Sequence, residues 1–479
     1  MEKKRKVLII APHPDDEINL AGQMLVHFQK QNLESYVMYT TNGDAEKKIN
    51  NKRIYEALEA CKVLGVGNSY VFFLGYANGW KEDQHIYNAK YTSERESLLG
   101  KRETNGVKGK DEFSLLKYGI HHLFTRENLK NDFKTLILDI LPDLIIAPEF
   151  DLHPDHRMTS LLFDEIMGEI LKSHRDYRPL ILKKYIHEGV WYGKKDYYSI
   201  PMNPTLTGGM REYSGGTHEL SSPSFTWGER LAFETDERTR TKYLQSNIIF
   251  KAAKKHRCTT AWYEMQRVIN ADMVYWQRRT DSLLFSADIT ATSGNTCFLN
   301  DFLLYGCHDI KKKEEPFTDQ TAFEWIPSED DPVKCVFISL QKYEHISSIV
   351  IYEDCNWDNH IEKVRISQGD NVLYEGELNR DGTGTNIRFK REVLTDKLSI
   401  QVIKYCGVPG ITEIEVFADE YEKERFQEYR LKKYEYGIGV RDTGRKSAGQ
   451  LLEKVYLTVL FAFKFKIRYE IGRRICQKS

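Results

Sequence analysis

Short apolar runs and segments with apolar residues at helical spacing take turns along the first 150 residues, and a chain built that way has few folds open to it. Residues 6–12 form an apolar run that ends in Pro12, a polar turn follows, and Leu20 to Gln29 reads as a helix. Ser35 to Thr41 reads as a second strand, Lys52 to Leu64 as a helix with Ile54, Ala57, Leu58 and Leu64 inward, and Tyr70 to Leu74 as a third strand. The polar stretch from Asn78 to Asp111 reads as an inserted loop, beyond which Leu129 to Leu141 is expected helical and Asp143 to Pro148 a buried strand. Each helix must cross back over the sheet before the next parallel strand begins, so the alternation predicts an α/β domain with a mainly parallel sheet. In such sheets the functional loops lie beyond the carboxyl ends of the strands.

The pattern changes near residue 287. Val350-Ile351-Tyr352, Val364-Arg365-Ile366, Val372-Leu373-Tyr374, Ile387-Arg388-Phe389, Leu398-Ser399-Ile400 and Ile414-Glu415-Val416 are short runs between Gly, Asp and Asn turns, which predicts a second, all-β domain. From Asp419 the chain turns charged and helical and then basic and apolar: Tyr421 to Ser479 carries fifteen Lys/Arg against seven Asp/Glu. The expected division is 1–286, 287–419 and a basic amphipathic C-terminal segment at 420–479. Over the whole chain 69 basic residues meet 70 acidic ones, so nothing in the net charge draws nucleic acid and none is expected as a partner. The basic N-terminus is followed by only four apolar residues, short of the roughly 7–15 of a secretory signal. The longest apolar stretch, Val455 to Phe463, is nine residues, where a membrane span takes about 20. A cytoplasmic location is expected, and with it eight reduced cysteines, which form no CxxC pair.

Two segments carry chemistry. Pro12-His13-Pro14-Asp15-Asp16-Glu17 ends the first strand, and Asp151-Leu152-His153-Pro154-Asp155-His156 follows the strand at 143–148. Two imidazoles and one carboxylate drawn from them make a tetrahedral zinc site with a fourth position open to water, the arrangement a hydrolase needs. Asp15 adjoins a ligand candidate and is placed to take that water's proton. A metal of this kind lowers the pKa of water from 15.7 to about 7, so neither a serine nor a cysteine nucleophile is required. One HPD tripeptide alone reads as a turn, since Pro and Asp both favour turns. Two of them, each after a predicted strand, point to a metal site. His121, His122, His187 and His218 read as surface or core residues.

These residues resemble the PIG-L or LmbE-like zinc-dependent N-acetylglucosamine deacetylases, whose hallmarks are an HPDDE loop after the first strand and a distant HPDH; both are intact here. The likeness extends through Thr41-Asn42-Gly43-Asp44, Arg53-Ile54-Tyr55-Glu56-Ala57 with Leu64-Gly65-Val66, and Phe73-Leu74-Gly75-Tyr76, over about residues 5–280. It implies a Rossmann-like fold and one divalent metal per chain, Zn, bound by His13, Asp16 and His156. It also implies Asp15 as general base, His153 stabilising the tetrahedral intermediate or protonating the leaving amine, and Arg53 touching the substrate. The loop after Gly75 and residues 187–230 depart from the family pattern.

Residues 287–419 resemble a discoidin-type (F5/8 type C) galactose-binding-like sandwich at Ile289-Thr290-Ala291-Thr292-Ser293, Leu299-Asn300-Asp301, Phe323-Glu324-Trp325 and the run from Gly410 to Phe417. The resemblance implies loops that hold carbohydrate, with Trp325 and Trp357 either stacking on a sugar or filling the core; a purely structural role fits equally. In the tail, Leu451, Val455, Val459, Phe463, Ile467 and Ile471 form an i, i+4 row, yet Phe461 to Ile471 also alternates, so helix and strand both fit. The tail is either packed on the catalytic domain or a membrane-surface anchor. The expected activity is metal-dependent removal of acetyl from an N-acetylated sugar of N-acetylglucosamine type, on a lipid-linked or polymeric glycan. The alternatives are the same chemistry on a non-sugar acylated small molecule, or an inactive carbohydrate-binding scaffold. The expected partners are the sugar or glycolipid and, peripherally, the inner membrane face.

Overall fold

The computed structural model describes residues 4–44, 52–81, 85–151, 153–186, 191–192, 204–207, 225–259, 267–304, 323–353, 359–380, 382–418, 424–435 and 447–476. Its N-terminal body is built on parallel strands β1 (Lys6–Ala11), β2 (Glu34–Thr41), β3 (Val71–Tyr76), β4 (Leu144–Pro148) and β5 (Leu180–Lys184). The two-residue strands β6 (Trp191–Tyr192) and β7 (Leu206–Thr207) pair with each other. β8 (Leu231–Glu234) and β9 (Asp272–Arg278) then close one edge antiparallel, which the sequence pattern had not marked, giving the order β3-β2-β1-β4-β5-β9-β8. Val7 to Ala11 have no exposed surface, as a strand covered on both faces requires. The described helices of this body are α1 (Asp16–Lys30), α2 (Lys52–Val63), α3 (Phe113–Tyr118), α4 (Arg126–Ile140), α5 (Pro154–Ser173) and α6 (Ile248–Ala253). From β1 the chain moves outward to β2 and β3, whereas β4 and β5 lie on the other side. The strand order therefore reverses between β1 and β4, paired in parallel from Val7 with Leu144 to Ile9 with Ile146, and in sheets of this kind such a reversal leaves a crevice at the carboxyl ends of the two strands.

The second body is antiparallel throughout: β10 (Asp288–Ala291), β11 (Cys335–Glu353), β12 (His360–Gln368), β13 (Asn371–Gly376), β14 (Thr385–Cys406) and β15 (Ile411–Phe417), in the order β10-β11-β14-β12-β13 with β15 on β11. β11 and β14 run for 19 and 22 residues, and register shifts between Ser339 and Glu344 and between Ile346 and Ser348 bend the pair. The resulting β-sandwich encloses Ile338, Ile349, Ile351, Ile366, Ile400, Ile414 and Val416. Trp325 lies in that core with no exposed surface, its indole N–H donating to the Ser293 carbonyl at 2.8 Å, so it is a core residue and no sugar platform. Trp357 lies outside the described residues.

The two bodies share a packed junction. Residues at the expected boundary serve both cores, Leu284 the second and Phe285 the first. Arg278 of β9 lies 3.9 Å from the Phe302 ring centroid and 3.4 Å from Glu415 Oε1, while the Phe302 amide donates to Glu413 at 2.9 Å. A methyl on Gly168, in the middle of α5, would stand 2.0 Å from the Asp301 carbonyl oxygen, so only glycine lets the two backbones approach this closely. Beyond the sandwich come α7 (Glu424–Gln427) and α8 (Ala448–Cys476), and Phe426, Tyr429, Leu431 and Leu457 return to the first core. Glu234 donates its amide to the Lys432 carbonyl and Tyr434 to that of Ala232, so this stretch runs beside β8. The end of the tail is thus helical, with Leu457, Leu460 and Phe461 packed inward.

Candidate active site

Both motifs reach the crevice between β1 and β4. Pro12 follows β1, and its carbonyl accepts from the Thr41 amide and from the Thr40 and Thr41 hydroxyls at 3.0–3.1 Å, which ties the HPDDE loop to the end of β2. Asp16 opens α1; Pro154 opens α5, where its fixed φ suits the first turn, and His156 stands in that turn. His153 caps α5, its Nδ1 accepting from the Asp155 amide at 3.2 Å. Two helix starts and two strand ends therefore converge on one point.

At that point His13 Nδ1 is 2.9 Å from Asp16 Oδ2 and 3.3 Å from His156 Nε2, and Asp16 Oδ2 is 3.2 Å from His156 Nε2. Donor atoms around a tetrahedral zinc with bonds of about 2.0–2.1 Å stand about 3.3 Å apart, so these three fit a metal. The other nitrogen of each imidazole is anchored by a carboxylate: His13 Nε2 by Asp155 Oδ2 at 2.9 Å, and His156 Nδ1 by both Asp151 oxygens at 2.9 and 3.0 Å. Such outer carboxylates orient ligating histidines and raise their basicity. His13, His153 and His156 also form a group whose ligand atoms lie within 4.8 Å of one another. Asp16 makes the closer third donor, its Oδ2 standing 2.9 and 3.2 Å from the two imidazole nitrogens.

The charges are strongly coupled. Burial opposes ionisation of Asp16, but His156 and His13 outweigh it and hold the carboxyl well below its ordinary range. Burial likewise opposes charge on His156, and Asp151 with Asp16 carries its pKa well above the usual value. For His153, burial and then the neighbouring His13 push the pKa down to about 4, so near neutrality its ring is uncharged. Asp15 is raised, by burial first, against the pull of Arg53.

Arg53 is buried under the loop, its Nη2 donating to the Pro14 carbonyl at 2.6 Å and to Asp15 Oδ1 at 2.7 Å, so in this structure it clamps the HPDDE loop. Gly43, at φ +64°, lies against the guanidinium, and a Cβ there would stand 2.7 Å from Arg53 Nη1 and displace it. The Asp15 amide donates to Glu17 Oε2 at 3.0 Å, and Glu17 Oε1 lies 2.6 Å from His256 Nε2. The sequence gives no signal of a role for Asp151, Asp155, Glu17, His85 and His256. The first three sit inside the quoted motifs, flanking the assigned residues, whereas His85 and His256 are single histidines far from both segments.

Residues 8–167 match the PIG-L family, described as GlcNAc-PI de-N-acetylase. No curated protein sequence gives a match. Solved structures similar to parts of the chain include N,N'-diacetylchitobiose deacetylase from Pyrococcus horikoshii complexed with its inhibitor MPG, at 18% identity over 39% of this chain and 63% of that one, with a TM-score of 0.26. They also include the family 32 carbohydrate-binding module of Clostridium perfringens NanJ in complex with galactose, at 16% identity over 27% and 93% of the two chains, with a TM-score of 0.20. A third is chitosan-binding module 1 from a Paenibacillus sp. IK-5 chitosanase/glucanase, at 12% identity over 28% and 98%, with a TM-score of 0.20.

Proposed function

We propose that the protein, whose residues 8–167 match the PIG-L family, is a zinc-dependent deacetylase of an N-acetylated sugar, of N-acetylglucosamine type. The observation that carries this is the meeting of His13, Asp16 and His156 donor atoms at 2.9–3.3 Å, with both imidazoles backed by carboxylates. His13, Asp16 and His156 would hold a divalent ion, whose chemistry when bound would be Lewis-acid polarisation of the amide carbonyl and acidification of water. Arg53 occupies Oδ1 of Asp15, and Oδ2 takes the proton of the attacking water as its oxygen bonds to the carbonyl carbon. His153, neutral and with Nδ1 accepting from the Asp155 amide, carries its proton on Nε2, where it donates to the developing oxyanion. Asp15 then gives that proton to the leaving nitrogen as the C–N bond breaks, which yields acetate and the free amine and restores the carboxylate. The test is acetate release by the zinc-loaded protein from N-acetylglucosamine-containing glycans and glycolipids beside acylated non-sugar amides. Turnover on the sugars, abolished together with metal uptake in His13→Ala and His156→Ala, is expected. A protein that takes up one metal per chain and deacetylates only the non-sugar amides would overturn the sugar assignment.

We further infer that the substrate is lipid-linked and that α8 rests on an anionic membrane surface, the cytoplasmic leaflet. One face of α8 is fastened to the N-terminal body: Leu457 is buried, and Glu453 accepts from the Leu244 and Gln245 amides at 3.1 and 3.0 Å. Away from it, Leu452, Val455, Tyr456, Val459 and Phe463 are each more than half exposed, with Leu452 at 71%. In the sequence from Leu451 to Ser479, seven Lys/Arg stand against two acidic residues, and each basic residue near an anionic leaflet contributes about 1 kcal/mol of attraction. No helix of the described residues is long and apolar enough to cross a membrane, which suits attachment in the interfacial plane. Flotation with phosphatidylserine vesicles is expected for the full chain, weaker in high salt and lost in a Leu452→Glu/Val455→Glu/Val459→Glu variant. Equally poor flotation of both would overturn the attachment, and a dimer that the triple variant dissolves would assign the face to a second copy.

A further inference from the structure

The loop between β3 and α3 sends one side chain into the site. His85 is 6% exposed, with Nε2 2.7 Å from Asp155 Oδ1 and Nδ1 3.2 Å from the backbone nitrogen of Tyr87. A backbone N–H can only donate, so Nδ1 of His85 accepts, and the proton of the neutral ring sits on Nε2, where it is donated to Asp155. The other Asp155 oxygen lies 2.9 Å from His13 Nε2, and an ionised carboxylate can only accept, so His13 also presents an N–H there. That leaves the lone pair of a neutral His13 on Nδ1, the atom facing Asp16 Oδ2 and His156 Nε2. The backbone of Asp155 meanwhile holds His153 Nδ1.

From this chain of contacts we propose that His85 is a positioning residue for the metal centre: through Asp155 it fixes the ring orientation and tautomer of His13 in which Nδ1 is the ligand atom. The inference rests on the reading of His13 as a metal ligand and adds a residue from the loop that departs from the family pattern. Without the His85 donor, Asp155 Oδ1 is a buried acceptor lacking that partner, and the carboxylate is free to rotate away from His13. Outer-shell partners of ligating histidines typically contribute 10–100-fold in metal affinity.

The two ring nitrogens have different jobs, which makes the test specific. In His85→Gln the amide nitrogen reaches the position of Nε2 and keeps a donor to Asp155; in His85→Asn only the position of Nδ1 is filled, and His85→Phe fills the space with no polar atom. The zinc dissociation constant of the full chain is measured by chelator competition, with the cobalt(II) absorption spectrum as a second readout and apo-protein melting as the fold control. His85→Asn and His85→Phe are expected to weaken zinc about 10–100-fold and to change the cobalt bands, while His85→Gln stays close to wild type. Unchanged affinity in all three variants, beside lost binding in His13→Ala, would overturn the role of His85 and leave the metal site standing. Equal losses in His85→Gln and His85→Asn would overturn the donor role, since only the former keeps a donor at the position of Nε2. If the wild-type chain takes up no zinc, the metal-site reading fails and this inference with it.

Discussion

Asp15 stands at φ 130°, ψ −20°, a backbone conformation that side-chain-bearing residues rarely occupy. Such strain costs of order 1–3 kcal/mol and persists only where surrounding contacts over-determine it, as they do here. Arg53 holds the carbonyl before Asp15 and its carboxylate, and Glu17 holds its amide. The strained turn leaves the Asp15 carboxylate beside Arg53 while the next residue, Asp16, starts the helix. Asp15→Asn keeps the shape and tolerates the backbone, but it cannot take a proton. Turnover is expected to fall by at least ~100-fold with metal content unchanged, checked by acetate release and elemental analysis on the same preparation. Near-wild-type turnover would remove Asp15 from the chemistry. The HPDDE and HPDH residues were legible in the sequence because each motif is contiguous and its side chains diverge from one turn. Their supports were not: His85 meets Asp155 across 70 positions and His256 meets Glu17 across 239, and an isolated histidine carries no spacing to read.

Helix α5 serves two ends at once. Its first turn presents His156 to the site, and twelve residues on, Gly168 presses against the Asp301 carbonyl at the edge of the sandwich. Adding a methyl there meets backbone oxygen, which cannot rotate aside as a flexible side chain would. Overpacking of this kind costs typically about 1–3 kcal/mol, against at most ~1 kcal/mol gained from the better helix propensity of alanine. Gly168→Ala is therefore expected to lower the melting temperature, and calorimetry showing an equal or higher value would mean the junction yields freely. The element pattern itself followed from hydrophobic period, since β1, β2 and α2 fall within a residue or two of their expected spans. β8 and β9 are not legible in that pattern because LAFE and DMVYWQR are short runs isolated by segments without a period, and only the pairing of β9 to β5 and of β8 to β9 makes them part of the sheet. Trp325 shows the converse: an aromatic in a loop-like sequence context is drawn into the core by its large apolar area, and its indole N–H is satisfied there by the Ser293 carbonyl.

As a whole molecule the chain does not run from one finished body to the next. The sandwich is inserted between two portions of the N-terminal body, because Phe426, Tyr429, Leu431 and Leu457 complete a core begun at Val7. A polypeptide leaves the ribosome at about 5–20 residues per second, so the roughly 150 residues between Leu304 and Leu457 take about 8–30 s to appear. For that interval the α/β body has made its site but lacks the side chains that cover β8 and α1, and the sandwich has time to close first. The domain started first is finished last, and apolar surface that α7 and α8 later cover is open to chaperones or to neighbouring nascent chains while translation continues.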